Sequence, residues 1–456
     1  MPSDSKQSKK LAQSRFHFIG VGGIGMCGLA ELLANMGAVV TGSDLSANAN
    51  TEHLQKIGVK VYFGHEASQV GEADVVVFSS AVRFNNPEIL EAKKRHIPLI
   101  PRAEALAEIM RLKRGIAVAG THGKTTTTSL VSSIFLQAQL DPTIFVGGRV
   151  ESIKSTAHLG QGEWLIAEAD ESDGSFHKLS PELSIITNID SDHLDHFKTF
   201  ENLQRSFLDF AHRVPFYGQV FVCGDDDQVF SLFENFAKRI LFYGFNSRND
   251  VVLKPVSGGY EMIERGKSLG VFTPSMPGRH NALNSAAAIM AGLAAGVDFK
   301  VCAEGIAHFT GVDRRFQFKG EQSGVKVYDD YGHHPTEVRA TLQAFKEKFP
   351  TSRLVVYFQP HRYSRTEFCW NEFLGCFGEA DHLLLTDIYA AGEAPLQGIT
   401  SERLFAEIKN PKKVFLPKDQ VSAARVVKEL KAGDVFVTLG AGDGWKLGLA
   451  VLEELK

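Results

Sequence analysis

Short uninterrupted apolar runs recur along the chain, and each ends in glycine or in a cluster of small polar and acidic residues. They include Phe16–Ile19, Ala38–Gly42, Asp74–Phe78, Ile116–Ala119, Trp164–Ala167 and Ser184–Ile186, and later Val325–Tyr328, Arg353–Phe358, Asp381–Leu385 and Asp434–Leu439. Runs with no polar alternation are what a strand buried on both faces requires, which is the situation in a parallel sheet. Segments with apolar positions three and four apart follow several of them, as in Leu29–Met36 and Ala103–Leu112. Strand and helix therefore alternate, and the fold class is α/β in three domains. The N-terminal domain is Rossmann-like and spans 1–114, the central P-loop domain spans 115–312, and a C-terminal Rossmann-like domain spans 313–456. The stretch from Leu241 to Val271 is less regular and reads as β-rich. Gly311-Val-Asp-Arg314-Arg315-Phe316 reads as the hinge into the last domain.

Composition changes this picture little. The chain has 456 residues, 44% apolar and 22% charged, too long for one core and typical of a globular protein. A net charge of −4 offers no basic field for nucleic acid. Five scattered cysteines without a CxxC pair fit reduced thiols and a cytoplasmic location, and no run approaches the ~20 apolar residues of a membrane span. The first fifteen residues, polar and rich in Ser and Lys, read as a frayed tail.

The chemistry centres on Gly115-Ile-Ala-Val-Ala-Gly120-Thr121-His122-Gly123-Lys124-Thr125-Thr126, a strand that breaks at glycine before a helix begins. Such a turn cradles phosphates on backbone N–H groups and a helix N-terminus, with the lysine reaching the β and γ oxygens and a hydroxyl holding Mg²⁺. The strict pattern wants glycine where this chain has Val118.

A second glycine turn, Gly20-Val-Gly22-Gly23-Ile-Gly25, lies between a strand and a helix, with Asp44 about twenty residues on. This is a dinucleotide-type fingerprint that admits a nucleotide diphosphate of any base, or a turn used only for packing. Ser79, Ser80 and Asn86 either line the same crevice or form its turns.

Two further strands end in carboxylates and imidazoles, Glu168-Ala-Asp170-Glu171-Ser-Asp173 and Asn188-Ile-Asp190-Ser-Asp192-His193-Leu-Asp195-His196. Strand C-termini of a parallel sheet share one edge, so Glu171 and His193 can converge with Thr125 on a divalent ion. Asp170 and Asp173 serve equally well as solvated loop carboxylates. His280, Asn281 and Asn284 open a helix of small residues, able to bind adenine or phosphate or merely to cap it. In the last third, Tyr331, His333, His361, Arg362 and Arg365 stand at strand ends and suit a small zwitterion whose carboxylate an arginine forks.

Taken in order, these stretches resemble the Mur ligases of peptidoglycan synthesis. The resemblance rests on Gly20–Met26, Gly42-Ser-Asp44, Ala119–Thr128, Glu168–Asp173, Asn188–Asp195, Gly278–Asn284, Gly311–Phe316, Asp329–Pro335, Gln359–Arg365 and Leu439–Asp443, and it covers nearly the whole chain. It implies an enzyme that uses ATP and Mg²⁺, with Mn²⁺ as the alternative ion, to activate the lactyl carboxylate of UDP-N-acetylmuramate (UDP-MurNAc) as an acyl phosphate, which the L-alanine amine then attacks. It implies that Gly120, Thr121, His122, Gly123, Lys124, Thr125, Thr126, His280, Asn281, Asn284 and Arg314 bind ATP. Lys124, Glu171 and His193 would be catalytic, with Thr125, Glu171 and His193 as metal ligands. Gly20, Gly22, Gly23, Gly25, Asp44 and Ser80 would receive the UDP-sugar, and Tyr331, His333, His361, Arg362 and Arg365 the amino acid. The resemblance implies small-molecule partners only, no nucleic acid or membrane, and a monomer or homodimer.

A recycling ligase that attaches a preformed tripeptide to the same sugar is the nearest rival, but this chain keeps the Gly22-Gly-Ile-Gly-Met26 run. A dehydrogenase using NAD would leave Lys124, Glu171 and His193 without work.

Overall fold

The structure, a computed structural model, describes residues 6–79, 81–150, 155–172 and 174–456. The chain forms two compact units, Met1–Ser275 with Leu283–Thr310, and Met276–Ala282 with Gly311–Lys456.

The first unit holds two sheets. One is built from β1 (Arg15–Ile19), β2 (Val39–Asp44), β3 (Lys60–Phe63), β4 (Val75–Phe78) and β5 (Leu99–Pro101), all parallel, in the order β3-β2-β1-β4-β5. That order reverses direction beside β1, and the glycine turn that follows β1 opens at this switch point. The helix Lys6–Gln13 precedes β1, so the segment expected to fray is helical up to the sheet. Its Leu11 packs against the core, and the Ser14 hydroxyl closes the end on Lys10 O at 2.8 Å.

The second sheet contains β6 (Arg114–Ala119), β7 (Thr143–Val150), β8 (Ser155–His158), β9 (Trp164–Glu168), β10 (Leu183–Ile186), β11 (Gln219–Cys223), β12 (Ile240–Gly244), β13 (Val251–Val256), β14 (Gly259–Glu264) and β15 (Lys267–Phe272). Its order is β15-β14-β13-β12-β11-β10-β6-β9-β7-β8. The irregular stretch is the antiparallel end β13–β15, and Arg265 and Gly266, both at positive φ, make the tight turn between β14 and β15. Strand β6 lies between β10 and β9, with Ala119 paired to Ile186 and Val118 to Glu168. The residues that leave β10 and β9 therefore flank whatever leaves β6. One apolar core runs through both sheets, joining Phe18, Leu29 and Leu106 to Ala117, Leu165 and Phe207.

The second unit carries β16 (Gln317–Gln322), β17 (Val325–Asp330), β18 (Leu354–Phe358), β19 (His382–Leu385), β20 (Lys412–Phe415) and β21 (Val435–Leu439), in the order β16-β17-β21-β18-β19-β20. All pairs are parallel except β16 with β17. Strands β17, β18 and β21 thus end side by side, and Asp330, Phe358 and Leu439 mark one edge.

Phe207 is fully buried with its ring edge against Phe176, 5.4 Å between centroids. Phe207→Ala should cost about 3–5 kcal/mol, read as a lower denaturation midpoint for the first unit.

Candidate active site

The turn after β6 is built by two glycines that no other residue replaces. Gly120 has φ of 136°, and a Cβ there would collide with the Thr187 hydroxyl. Gly123 has φ of 80°, and its added Cβ would stand 2.8 Å from Asn284 Oδ1. The helix Lys124–Gln137 starts immediately, so its first N–H groups face the turn. Lys124 spends its ammonium on Gly120 O at 2.7 Å, Thr121 O at 3.0 Å and Glu171 Oε1 at 2.8 Å. Thr125 is half-buried on the first helical turn, and Thr126 beside it is buried.

Glu171 follows β9 and is fully buried. Both of its oxygens stand 2.8 Å from the Lys124 ammonium, with Oε1 taking the hydrogen bond. Burial pushes the Glu171 carboxyl up to about 7, against the pull of Lys124. Burial opposes the lysine charge too, but Glu171, Asp170 and Glu168 outweigh it and the Lys124 pKa is raised. His193 sits at φ 57°, and its Nε2 is 3.8 Å from Glu171 Oε1. The structure therefore gathers Thr121, Lys124, Glu171 and His193 around one turn. Asp170 instead faces Arg102 at 3.5 Å and stays below the usual carboxylate range despite burial, with Lys124 the main cause. His196 is exposed, and Asp173 lies outside the described residues.

In the first sheet, Gly20 takes φ of 82° and its N–H donates to Ser43 O at 2.8 Å. Asp44 does not point away from the turn. Its Oδ2 accepts from Gly22 N at 2.8 Å, and a Cβ on Gly22 would crowd that carboxylate. Gly23 is the extended residue before the helix Ile24–Asn35, and a Cβ on Gly25 would run into the Arg102 guanidinium. Arg102, which carried no motif, thus joins this turn to Asp170. Ser80 lies outside the described residues.

In the second unit, Arg314 turns inward. It pairs with Asp329 at 3.0 Å and donates to the carbonyls of Gly440 and Gly442. These bonds tie Arg314 to the loop after β21. His333 donates from Nδ1 to Tyr331 O, 3.0 Å away, and its ring lies 5.8 Å from that of His361. Arg365 Nη1 reaches His361 Nδ1 at 3.5 Å, and Arg362 pairs with Glu393 at 3.1 Å. Burial and the two arginines lower His361 to about 4, which makes it a neutral imidazole at pH 7. His280 is also lowered to about 4, by burial and Arg315. Asn281 caps its own turn through Pro277 O at 2.7 Å. Tyr331, His333, His361 and Arg365 are brought together, while Asn284 belongs to the first unit beside Gly123.

Family models match in series: "Mur ligase family, catalytic domain" over residues 15–114, "Mur ligase middle domain" over 118–292, and "Mur ligase, glutamate ligase domain" over 314–442. A UDP-N-acetylmuramate–L-alanine ligase of Bdellovibrio bacteriovorus is 66% identical over 452 residues, 98% of this chain and 100% of its own. The chain belongs to the Mur ligase family. A second ligase of that name, from Geobacter sp. strain M21, is 48% identical and covers 97% of this chain and 98% of itself. The three-domain Mur ligase architecture recurs in the crystal structure of UDP-N-acetylmuramate–alanine ligase MurC from Thermotoga maritima. Its TM-score is 0.81 at 28% identity, over 97% of this chain and 99% of that one. A murein peptide ligase of Psychrobacter arcticus shares the fold with a TM-score of 0.71 at 23% identity, covering 97% and 99%. As a Mur ligase the chain is an enzyme that uses ATP. Among the described residues no helix is long and apolar enough to cross a membrane.

Two outcomes follow for this Mur ligase. Gly120→Ala forces a side chain into a left-handed position against Thr187, and should raise KM for ATP by at least about tenfold in steady-state assays. On the expectation that Glu171 ligates a metal, its carboxyl, pushed by burial up to about 7, must lose its proton first. Mn²⁺ affinity, read by EPR, should therefore tighten by about tenfold per pH unit as pH rises toward 7 and then level off. In Glu171→Gln that slope should vanish.

Proposed function

We propose that the chain joins L-alanine to the lactyl carboxylate of UDP-MurNAc, converting ATP to ADP and phosphate. The observation that carries this reading is the buried Lys124–Glu171 pair at the mouth of a glycine turn, with His193 beside it. The residues fit the groups they would hold. A cradle that a Cβ at Gly120 or Gly123 would fill suits phosphate oxygens, and the buried Glu171 carboxylate suits a hard cation. Thr125 and Glu171 would hold Mg²⁺, and the His193 imidazole suits a second, softer-bound ion, Mg²⁺ or Mn²⁺. Bound there, the metal neutralises charge on the transferring phosphoryl group.

The lactyl carboxylate attacks the γ-phosphorus, ADP leaves, and Lys124 balances charge on the equatorial oxygens. The L-alanine ammonium gives up one proton to solvent, its amine attacks the acyl carbon and sheds a second proton as the amide forms, and phosphate departs with the C–O bond electrons. Gly20, Gly22, Gly23, Gly25 and Asp44 receive the UDP-sugar. His280, Asn281 and Asn284 position ATP. Tyr331, His333, His361, Arg362 and Arg365 receive L-alanine, with His361 acting as a neutral hydrogen-bonding ring. The work divides over 1–114, 115–312 and 313–456, and the compartment is the cytoplasm, where nucleotide substrates and thiols such as the five buried free cysteines belong.

Phosphate release from ATP should require both UDP-MurNAc and L-alanine, and Lys124→Ala should lower kcat at least about a hundredfold. Release driven by L-Ala-γ-D-Glu-diaminopimelate and not by L-alanine would instead assign the tripeptide-attaching reaction.

A further inference from the structure

The strict phosphate-loop pattern has a glycine where this chain has Val118, and that valine belongs to β6, paired with Ile185 on one side and Glu168 on the other. The strand therefore runs on to Ala119 and only Gly120–Gly123 remain as loop. So short a turn makes few bonds of its own, and the segment leaving β10 supplies them. Thr187 N donates to Ala119 O at 3.0 Å, and Thr121 N donates to Asn188 O at 3.1 Å. The Thr187 hydroxyl donates to His122 O at 2.6 Å.

The Asn188 carboxamide grips the same residue twice. Its Oδ1 accepts from His122 N at 2.9 Å, and its Nδ2 donates to His122 O at 3.0 Å. These are the two bonds that a neighbouring strand would make, supplied here by one side chain. Asp190 then closes on both loop residues. Its N–H donates to the Thr121 hydroxyl at 2.9 Å, and its Oδ2 lies 2.9 Å from His122 Nε2. Three residues further on the same segment places His193.

We propose that Asn188 and Asp190 are positioning residues for the nucleotide. Acting through the main chain and ring of His122, they hold the four-residue loop in its phosphate-binding shape and fix its register against the turn that carries His193. This rests on the reading of the loop as the ATP site. Neither residue needs to touch ATP. Their effect passes through the loop, and so falls on nucleotide affinity before it falls on the sugar.

The test is steady-state kinetics on the full chain, with KM for ATP, KM for UDP-MurNAc, kcat and melting temperature measured for each variant. Asp190→Ala and His122→Ala should each raise KM for ATP roughly tenfold, as expected for losing one charge-assisted hydrogen bond. The double variant should raise KM for ATP by less than the product of the two single effects, because both remove the His122–Asp190 contact. Asp190→Asn keeps an acceptor oxygen within reach of His122 and should restore KM to within about threefold of the parent. Asn188→Asp has the same shape without the amide donor, and covers the case in which the alanine variant does not fold; it too should raise KM for ATP roughly tenfold. KM for UDP-MurNAc should stay put throughout.

An unchanged KM for ATP in a folded Asp190→Ala or Asn188→Asp protein would overturn the assignment. So would additive single effects, or an equal rise in KM for UDP-MurNAc. Lys124→Ala separates the two readings: if it too leaves turnover intact, the loop is not the ATP site at all.

Discussion

A lysine and a glutamate are held together out of water at the end of the central sheet, and the rest of the first unit is arranged around that pair. Each charge alone would be expensive there, and removing one partner of a buried pair leaves the other uncompensated at a cost of about 3–5 kcal/mol. The Lys124 ammonium answers three acceptors, and both Glu171 oxygens lean on that one ammonium. That imbalance gives the pair its chemistry. A lysine whose donors rest on loop carbonyls can exchange them for phosphate oxygens, and the carboxylate so released can take a cation.

Strand order is what makes the pair possible. Because β6 lies between β9 and β10, Lys124, Glu171 and His193 arrive from three separate stretches of chain at adjacent strand ends. The same logic sets the glycine turn beside β1 in the first sheet and the Tyr331, His333 and His361 group at the ends of β17 and β18 in the second unit. Parallel sheets concentrate function at one edge, since helix N-termini and unpaired strand ends meet there. Sequence positions more than forty residues apart can thus serve a single phosphoryl group.

Much of this was legible in the residues. Uninterrupted apolar runs identified β1, β2, β4, β6, β9, β10, β17, β18, β19 and β21, and the polar clusters that end them marked the working edge, while the parallel strands β3, β5, β7, β12 and β20 went unmarked. What patterning could not give was direction. Arg314 is expected at ATP, and the residues around it do not reveal that a backbone loop 126 residues away takes its donors in this structure. Asp44 is expected to receive the UDP-sugar, and nothing local reveals that its carboxylate also closes the glycine turn through Gly22 N. The N-terminal helix was hidden by its polarity, and its Leu11 packs against the core. Asn188 and Asp190 were visible as a polar cluster with no stated role, since nothing local reveals that a carboxamide will span the main chain of His122. The Val118 mismatch was the clue to that arrangement. A loop too short to support itself needs a neighbour that does.

The central claim is that the γ-phosphoryl group bound at this turn is transferred to a carboxylate oxygen of the sugar nucleotide. It is tested most directly by turning over UDP-MurNAc labelled with ¹⁸O in the lactyl carboxylate, with ATP and L-alanine, and examining the released phosphate by mass spectrometry. The account predicts that one labelled oxygen leaves in each phosphate, with ADP as the nucleotide product. Phosphate free of label, or label recovered in AMP, would contradict it.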